Sequence, residues 1–141
     1  MTYALAWPLQ QAVRARLAAD PGVVAVLGDR IWDAPPQETH LAPPDTPYAV
    51  IGDERAGDWS TATDRGAEHV LRVSVHAASA GFAAAKAAAG AICDALLGAD
   101  LGLARGHVVY AGFLDAETRR SEDGRLRTIR MRFRLLIEDT A

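Results

Sequence analysis

From Ile129 to Glu138 the chain alternates residue by residue. Ile129, Met131, Phe133, Leu135 and Ile137 fall on one side of an extended strand, and Thr128, Arg130, Arg132, Arg134 and Glu138 on the other, because successive strand side chains point to opposite faces. Asp123-Gly124 stands just ahead of this run. Asp-Gly between two such segments signals a tight hairpin, since a type I′ turn needs positive φ at both central positions. Folding back across a two-residue turn sets Leu114 against Phe133, Ala116 against Met131 and Tyr110 against Ile137. On the other face Glu117 meets Arg130 and Asp115 meets Arg132. The apolar faces coincide and the charges pair, which a one-residue slip would destroy. A four-residue loop, Ser121 to Gly124, shifts the pairing by two and keeps the same faces. At ~3.4 Å per residue the last strand reaches on the order of 45 Å, longer than usual, so its turn end is expected to overhang the domain.

At 141 residues the expectation is one domain, residues 1–141, with a real core. A formal net charge of −3 argues against a dedicated nucleic-acid binder, whose footprint is usually basic. Charge is uneven, however, with seven arginines between positions 119 and 134. The one cysteine, Cys93, excludes an internal disulfide and reads as a small buried hydrophobe. Pro8, Gln10, Gln11 and Arg14 interrupt the first apolar stretch, so no signal peptide is expected, and no run approaches a membrane span. The reading is a soluble, cytosolic chain.

Residues 4–19 form an amphipathic helix, with Leu5, Leu9, Ala12, Val13 and Leu17 on its apolar stripe. Val23 to Leu27 fits either a second helical turn or a buried extended piece. Ile31 to Ala34 reads as a short strand, and Pro35 to Pro47, with five of the seven prolines, as an extended loop. Tyr48 to Asp53 is a strand, Glu54 to Gly66 a long exposed loop, and Glu68 to His76 an alternating strand. Ser79 can cap a helix from about Ala80 to Leu97 that Gly98 ends. His107 to Arg120 is the hairpin's first half. The fold class is therefore α+β: an antiparallel β-sheet of about four strands, two helices packed on one face, and a long β-hairpin.

Catalytic patterns are missing. His40, His69, His76 and His107 have no metal-ligand spacing, and His69 and His76 lie on opposite faces of one strand. No nucleophile elbow or phosphate-cradling loop is present. The chain reads as a non-enzyme without a cofactor or metal. The arginine row fits a salt-bridge ladder, within the sheet or between subunits, or contact with nucleic acid, its members lying ~7 Å apart. Trp59, in the polar loop Asp58-Trp59-Ser60-Thr61, is either folded back onto the domain or a contact anchor.

Several short segments occur in a telling order: Gly28-Asp29-Arg30-Ile31, Pro47-Tyr48-Ala49-Val50-Ile51-Gly52, Asp58-Trp59-Ser60-Thr61, Gly66-Ala67-Glu68-His69, then an Ala-rich helix, Asp123-Gly124-Arg125 and Arg132-Phe133-Arg134. In that order and spacing the chain resembles, over nearly its whole length, the tail-completion or tail-terminator proteins of long-tailed phages and of gene transfer agents. No single motif among them is diagnostic.

The resemblance implies a virion structural protein. It would form a homo-hexameric ring on the head-proximal end of the tail tube, end polymerisation of the major tail tube protein and join the tail to a head-tail connector or stopper protein. DNA would pass through the lumen without sequence specificity. Assembly in the bacterial cytoplasm, then residence in the tail or neck of the particle, is the implied location, with no membrane partner. The interface candidates are Arg55, Asp58, Trp59, Asp115, Glu117, Arg119, Arg120, Arg130, Arg132 and Arg134. Arg72, Arg130 and Arg134 are the candidates for facing the lumen and its DNA. The alternatives are a connector or stopper subunit, or a small non-viral ligand-binding or regulatory α+β domain.

Overall fold

The computed structural model describes residues 2–34, 46–78, 82–97 and 100–140. Among these residues three helices and five strands follow the order α1 (Ala6–Ala19), α2 (Pro21–Leu27), β1 (Ile31–Trp32), β2 (Tyr48–Asp58), β3 (Gly66–Ala77), α3 (Ala83–Leu97), β4 (His107–Arg120) and β5 (Arg127–Glu138). The strands make one sheet in the order β1-β2-β3-β5-β4. Every pairing is antiparallel except β1 on β2, which is parallel. The expected α+β class holds, with one helix and one strand more than expected and a mixed sheet.

The stretch Val23 to Leu27 resolves as helix. Pro21 sits in its first turn, where its missing N–H costs nothing, and the Asp20 carboxylate accepts from the Val23 N–H at 3.1 Å. Gly28 ends it at φ 57°. Arg30 then anchors β1, donating to the carbonyls of Pro47 and Val26 at 3.0 Å each. On α1, Arg16 donates to the Ala95 carbonyl at 3.0 Å, satisfying an orphan acceptor in the last turn of α3.

The core forms where α1, α2 and α3 meet one face of the sheet. The buried alternates of β5 are Ile129, Met131, Phe133, Leu135 and Ile137, as the pattern required. Leu71, Val73 and Val75 of β3 and Ala85, Ala88 and Ile92 of α3 close over them. Cys93 is half-buried rather than buried, its thiol 3.7 Å from the Met131 sulfur. The helices leave the other face of β2, β3, β5 and β4 open.

Three expectations are corrected. First, Glu54 to Asp58 is not loop: β2 continues through Asp58, with Arg55 opposite Val70 and Gly57 opposite Glu68. The register shifts by one residue between Ile51 and Glu54. That bulge turns Glu54 toward the helices and Arg55 toward the open face, the reverse of an uninterrupted strand. Only residues 59–65 form a loop.

Second, the hairpin turn is not type I′. Gly124 has φ 73°, but among the described residues no non-glycine residue has positive φ, so Asp123 does not. The Gly124 N–H donates to the Ser121 carbonyl at 2.9 Å, which centres the turn on Glu122-Asp123 with Gly124 as the left-handed exit. The Ser121 N–H bonds the Leu126 carbonyl at 2.9 Å. β3 pairs with β5 as far as Arg127, so only this turn projects and no long ribbon overhangs.

Third, the β4–β5 register holds near the turn and then slips twice. Asp115 faces Arg132, Ala116 faces Met131 and Glu117 faces Arg130, as the two-residue folding gave. Shifts between Phe113 and Asp115 and between Val108 and Tyr110 then put Phe113, not Leu114, against Phe133, and Tyr110 against Leu136, not Ile137. Leu114 and Val109 are the extra residues of two bulges. Ser79 and Gly98, as helix cap and stop, and most of the Pro35 to Pro47 loop lie outside the described residues.

Candidate assembly surfaces

The open face of the sheet carries most of the nominated residues. Its rows run across three or four strands: Arg55, Val70, Arg134 and Gly112 in one, Arg72, Arg132 and Asp115 in the next, then Ser74, Arg130 and Glu117. Arg132 and Asp115 form a two-pronged pair, one prong at 2.9 Å from Nε to Oδ1 and the other from the second guanidinium N–H to Oδ2. The Arg132 guanidinium, with help from Arg72, holds the Asp115 carboxyl below the usual range. Arg134 donates to Glu68 at 2.6 Å. Glu117 faces Arg130 across the ladder, but its carboxylate bonds Arg119 at 3.0 Å. The expected ladder is thus half made. Among the described residues Arg55, Arg72 and Arg130 have no carboxylate within ion-pair distance. These arginines line two shallow hollows of about 490 and 300 Å³. A bare face with unpaired cations attracts a polyanion, and does so weakly where carboxylates sit among them.

The second surface is the outer edge of β4. From Asp115 to Arg120, Arg119 and Arg120 included, every side chain is exposed. Val109, Tyr110, Phe113 and Leu114 are between 43% and 50% exposed, a cluster of large apolar groups on an unpaired strand. Phe113 meets Phe133 edge-to-face at 5.9 Å, and the Tyr110 ring lies over Gly112, whose missing side chain makes the room. Sequence reasoning assigned Tyr110 and Leu114 to a buried face; only the bulges bring them out.

The third is the loop 59–65. Trp59 is 36% exposed, and its ring and carbonyl press on Gly66, where a Cβ would come within 2.8 Å of both. Trp59 folds back onto the domain on one side, while the rest of it faces water. The loop is pinned by the Trp59 N–H to the Gly66 carbonyl at 3.0 Å and by Ser60 Oγ to Asp58 at 2.7 Å. That second bond is the main reason the Asp58 carboxyl titrates below its ordinary value.

Other polar features are structural. His69 is fully buried and its Nδ1–H donates to Glu54 at 3.0 Å, while the Tyr3 hydroxyl donates to the same carboxylate at 2.6 Å. These two donors hold the Glu54 carboxyl below its ordinary value, His69 most strongly. Burial, and then the charge of Arg130, depresses His76. Among the described residues no cluster of His, Cys, Asp and Glu could hold a metal, and no helix is long and apolar enough to cross a membrane. Trp7, 62% exposed on α1, escaped the sequence reading.

The family model for tail completion protein gp17 matches residues 11–138. The chain belongs to this family. A chain in the solved virion of a native gene transfer agent (GTA) particle is similar to it at 43% identity, with a TM-score of 0.86, over 97% of this chain and 99% of that one. No curated protein matches. The similarity therefore runs through every surface described above.

Proposed function

We propose that the chain, acting as one domain over residues 1–141, is a structural subunit of the tail of a phage or gene transfer agent. Copies of it form a hexameric ring on the head-proximal end of the tail tube. The ring ends tube polymerisation and joins the tail to the head through a connector or stopper protein. It works by shape and charge rather than by catalysis. The likeness to a chain of the native GTA virion, end to end and at 43% identity, carries this reading.

The surfaces support it. A ring subunit needs two unlike lateral contacts that close by rotation, and β4 at one side of the sheet is unlike the β1–β2 side at the other. The open face, with Arg55, Arg72 and Arg130 unpaired among the described residues and Arg132 and Arg134 paired, suits a lumen through which DNA slides without being held. The loop with Trp59 and Asp58 suits contact with the tube or the next subunit. The ring is put together in the bacterial cytoplasm and stays in the tail neck.

Deletion of the gene, followed by electron microscopy of the particles, tests this. Overlong or unjoined tails are expected. Tails of normal length that merely fail to hold heads would assign the chain to a stopper role instead, and normal joined particles would remove the reading.

A further inference from the structure

We propose that the seam between neighbouring copies of this chain joins strand to strand, β4 of one copy lying antiparallel against β2 of the next. The segment Val108–Leu114 contacts Gly52–Asp58. This rests on the ring reading above and adds what holds the ring together.

Both edges are available. β1 covers only Ala49 and Val50 of β2, so among the described residues no strand lies beside the later part of β2. β4 ends the sheet on the other side. Unpaired strand edges are templates for another strand, and main-chain pairing of this kind is a common mode of recognition.

Direction and height agree. β2 runs with β5 and against β3 and β4. A rotation about an axis along the strands preserves these directions, so β4 meets the next β2 antiparallel, the better-bonded arrangement. The ladders connect Gly57 through Glu68 and Leu136 to Tyr110, and Glu54 through Leu71 and Phe133 to Phe113. The uncovered part of β2 is therefore level with the apolar part of β4. Of the charged part of β4, Glu117 and Thr118 are level with Val50 and Ala49, the two residues that β1 pairs.

The side chains also match. Val109, Tyr110, Phe113 and Leu114 need cover, and β2 offers Ala56 and Gly57, where a Cβ at Gly57 would meet nothing within 4 Å. Bulky apolar groups against a small-residue edge pack closely. Within the apolar part of the edge, the two bulges leave Tyr110–Phe113 as the regular stretch. The joined sheets keep all helices on one side and all open faces on the other, a continuous wall around a lumen.

Disulfide trapping in purified particles tests the seam. Ala111→Cys is combined with Ala56→Cys or with Asp58→Cys, all facing the helices, in a Cys93→Ala background. Within one copy these positions are separated by β3 and β5, about 14 Å at ~4.8 Å per strand, beyond the ~7 Å reach of a disulfide. Any bond formed is therefore between copies. Mild oxidation should convert most of the chain of at least one double variant into a ladder of oligomers ending at ring size, and each single variant should stay monomeric on a denaturing gel. Particles that contain the ring by microscopy but yield no ladder from either double variant would overturn the seam and leave the ring standing. Single variants that dimerise with themselves would overturn it in favour of a two-fold contact. Joined particles lacking any ring would sink the ring reading and the seam together.

Discussion

Replacing Gly66 by alanine should displace Trp59 without altering the tryptophan itself. The new Cβ would lie 2.8 Å from the Trp59 ring, 2.8 Å from its carbonyl oxygen and 2.9 Å from the Ile137 carbonyl oxygen. The Ile137 carbonyl belongs to a central strand and cannot give way, so the loop 59–65 must. Overpacking of this kind costs at least ~1 kcal/mol. The upper bound is the loss of the Trp59 contact. With 36% of the residue exposed, about two-thirds is covered, or ~130 Å² of a ~200 Å² side chain. At ~25 cal/mol per Å² that is ~3 kcal/mol. For a chain of this length, with ~4 °C per kcal/mol, the melting temperature should fall by roughly 4–12 °C. Scanning calorimetry reads the shift, and acrylamide quenching reads the newly exposed indole, using a Trp7→Phe background to remove the exposed α1 tryptophan. If the loop makes the assembly contact, ring incorporation falls as well. A melting temperature within about 2 °C of wild type, with unchanged quenching, would refute the seating of Trp59 on Gly66.

Three further outcomes are expected. Trp59→Ala should lower stability by the same ~1–3 kcal/mol and reduce incorporation into particles, measured by immunoblot of purified virions; full incorporation would take the loop out of the interface. Arg132→Glu sets two carboxylates side by side at an exposed site, so the melting temperature should move by no more than about 2 °C while particle yield drops, and the exchange Arg132→Asp with Asp115→Arg should restore it. Unfolding against pH should lose stability in two windows on acidification. His76 is depressed below its ordinary 6.5 and Glu54 below its ordinary 4.5. In each window the unfolded chain binds the proton first, so stability is present above the ordinary value and drains as pH falls toward the folded one. Glu54→Gln should shrink only the lower window, to which Asp58 and Asp115 also contribute, seen by circular dichroism between about pH 3 and 5.

What the sequence revealed follows from which surfaces are buried. β5 was legible because helices cover one of its faces and water the other, so its period is clean. Asp115 with Arg132 was legible because opposite charges sit at matching distances from the turn. The segment Asp53-Glu54-Arg55-Ala56-Gly57-Asp58 read as loop because an edge strand with a polar open face has no apolar row to betray it. The bulge at Gly52-Asp53 broke even the alternation that remained. The β4 bulges were invisible for the opposite reason: Val109 and Leu114 are apolar and look like core, though the sheet leaves them outside. α2, at seven residues, is too short to display a helical period, and only Asp20-Pro21 marks its start. The glycine at 66 was a family-like feature in sequence, but its purpose, making room for Trp59, depends on a contact across the loop.

Exposed strand edges carry a hazard, since each can capture any extended chain. The bulges of β4 answer it by confining the straight apolar part of the edge to Tyr110–Phe113, and exposed charged residues guard the regular run Asp115–Arg120. A seam through so short a stretch is weak for a single pair of copies, which keeps isolated subunits apart at low concentration. A closed ring has as many contacts as subunits, whereas an open chain has one fewer, so closure adds one contact without ordering another copy. A tube end that holds the copies side by side raises their effective concentration further. Weak edges with interrupted strands are therefore what a ring built on a template requires. The same subunits with straightened β4 strands, made by deleting Val109 or Leu114, should associate indiscriminately in solution.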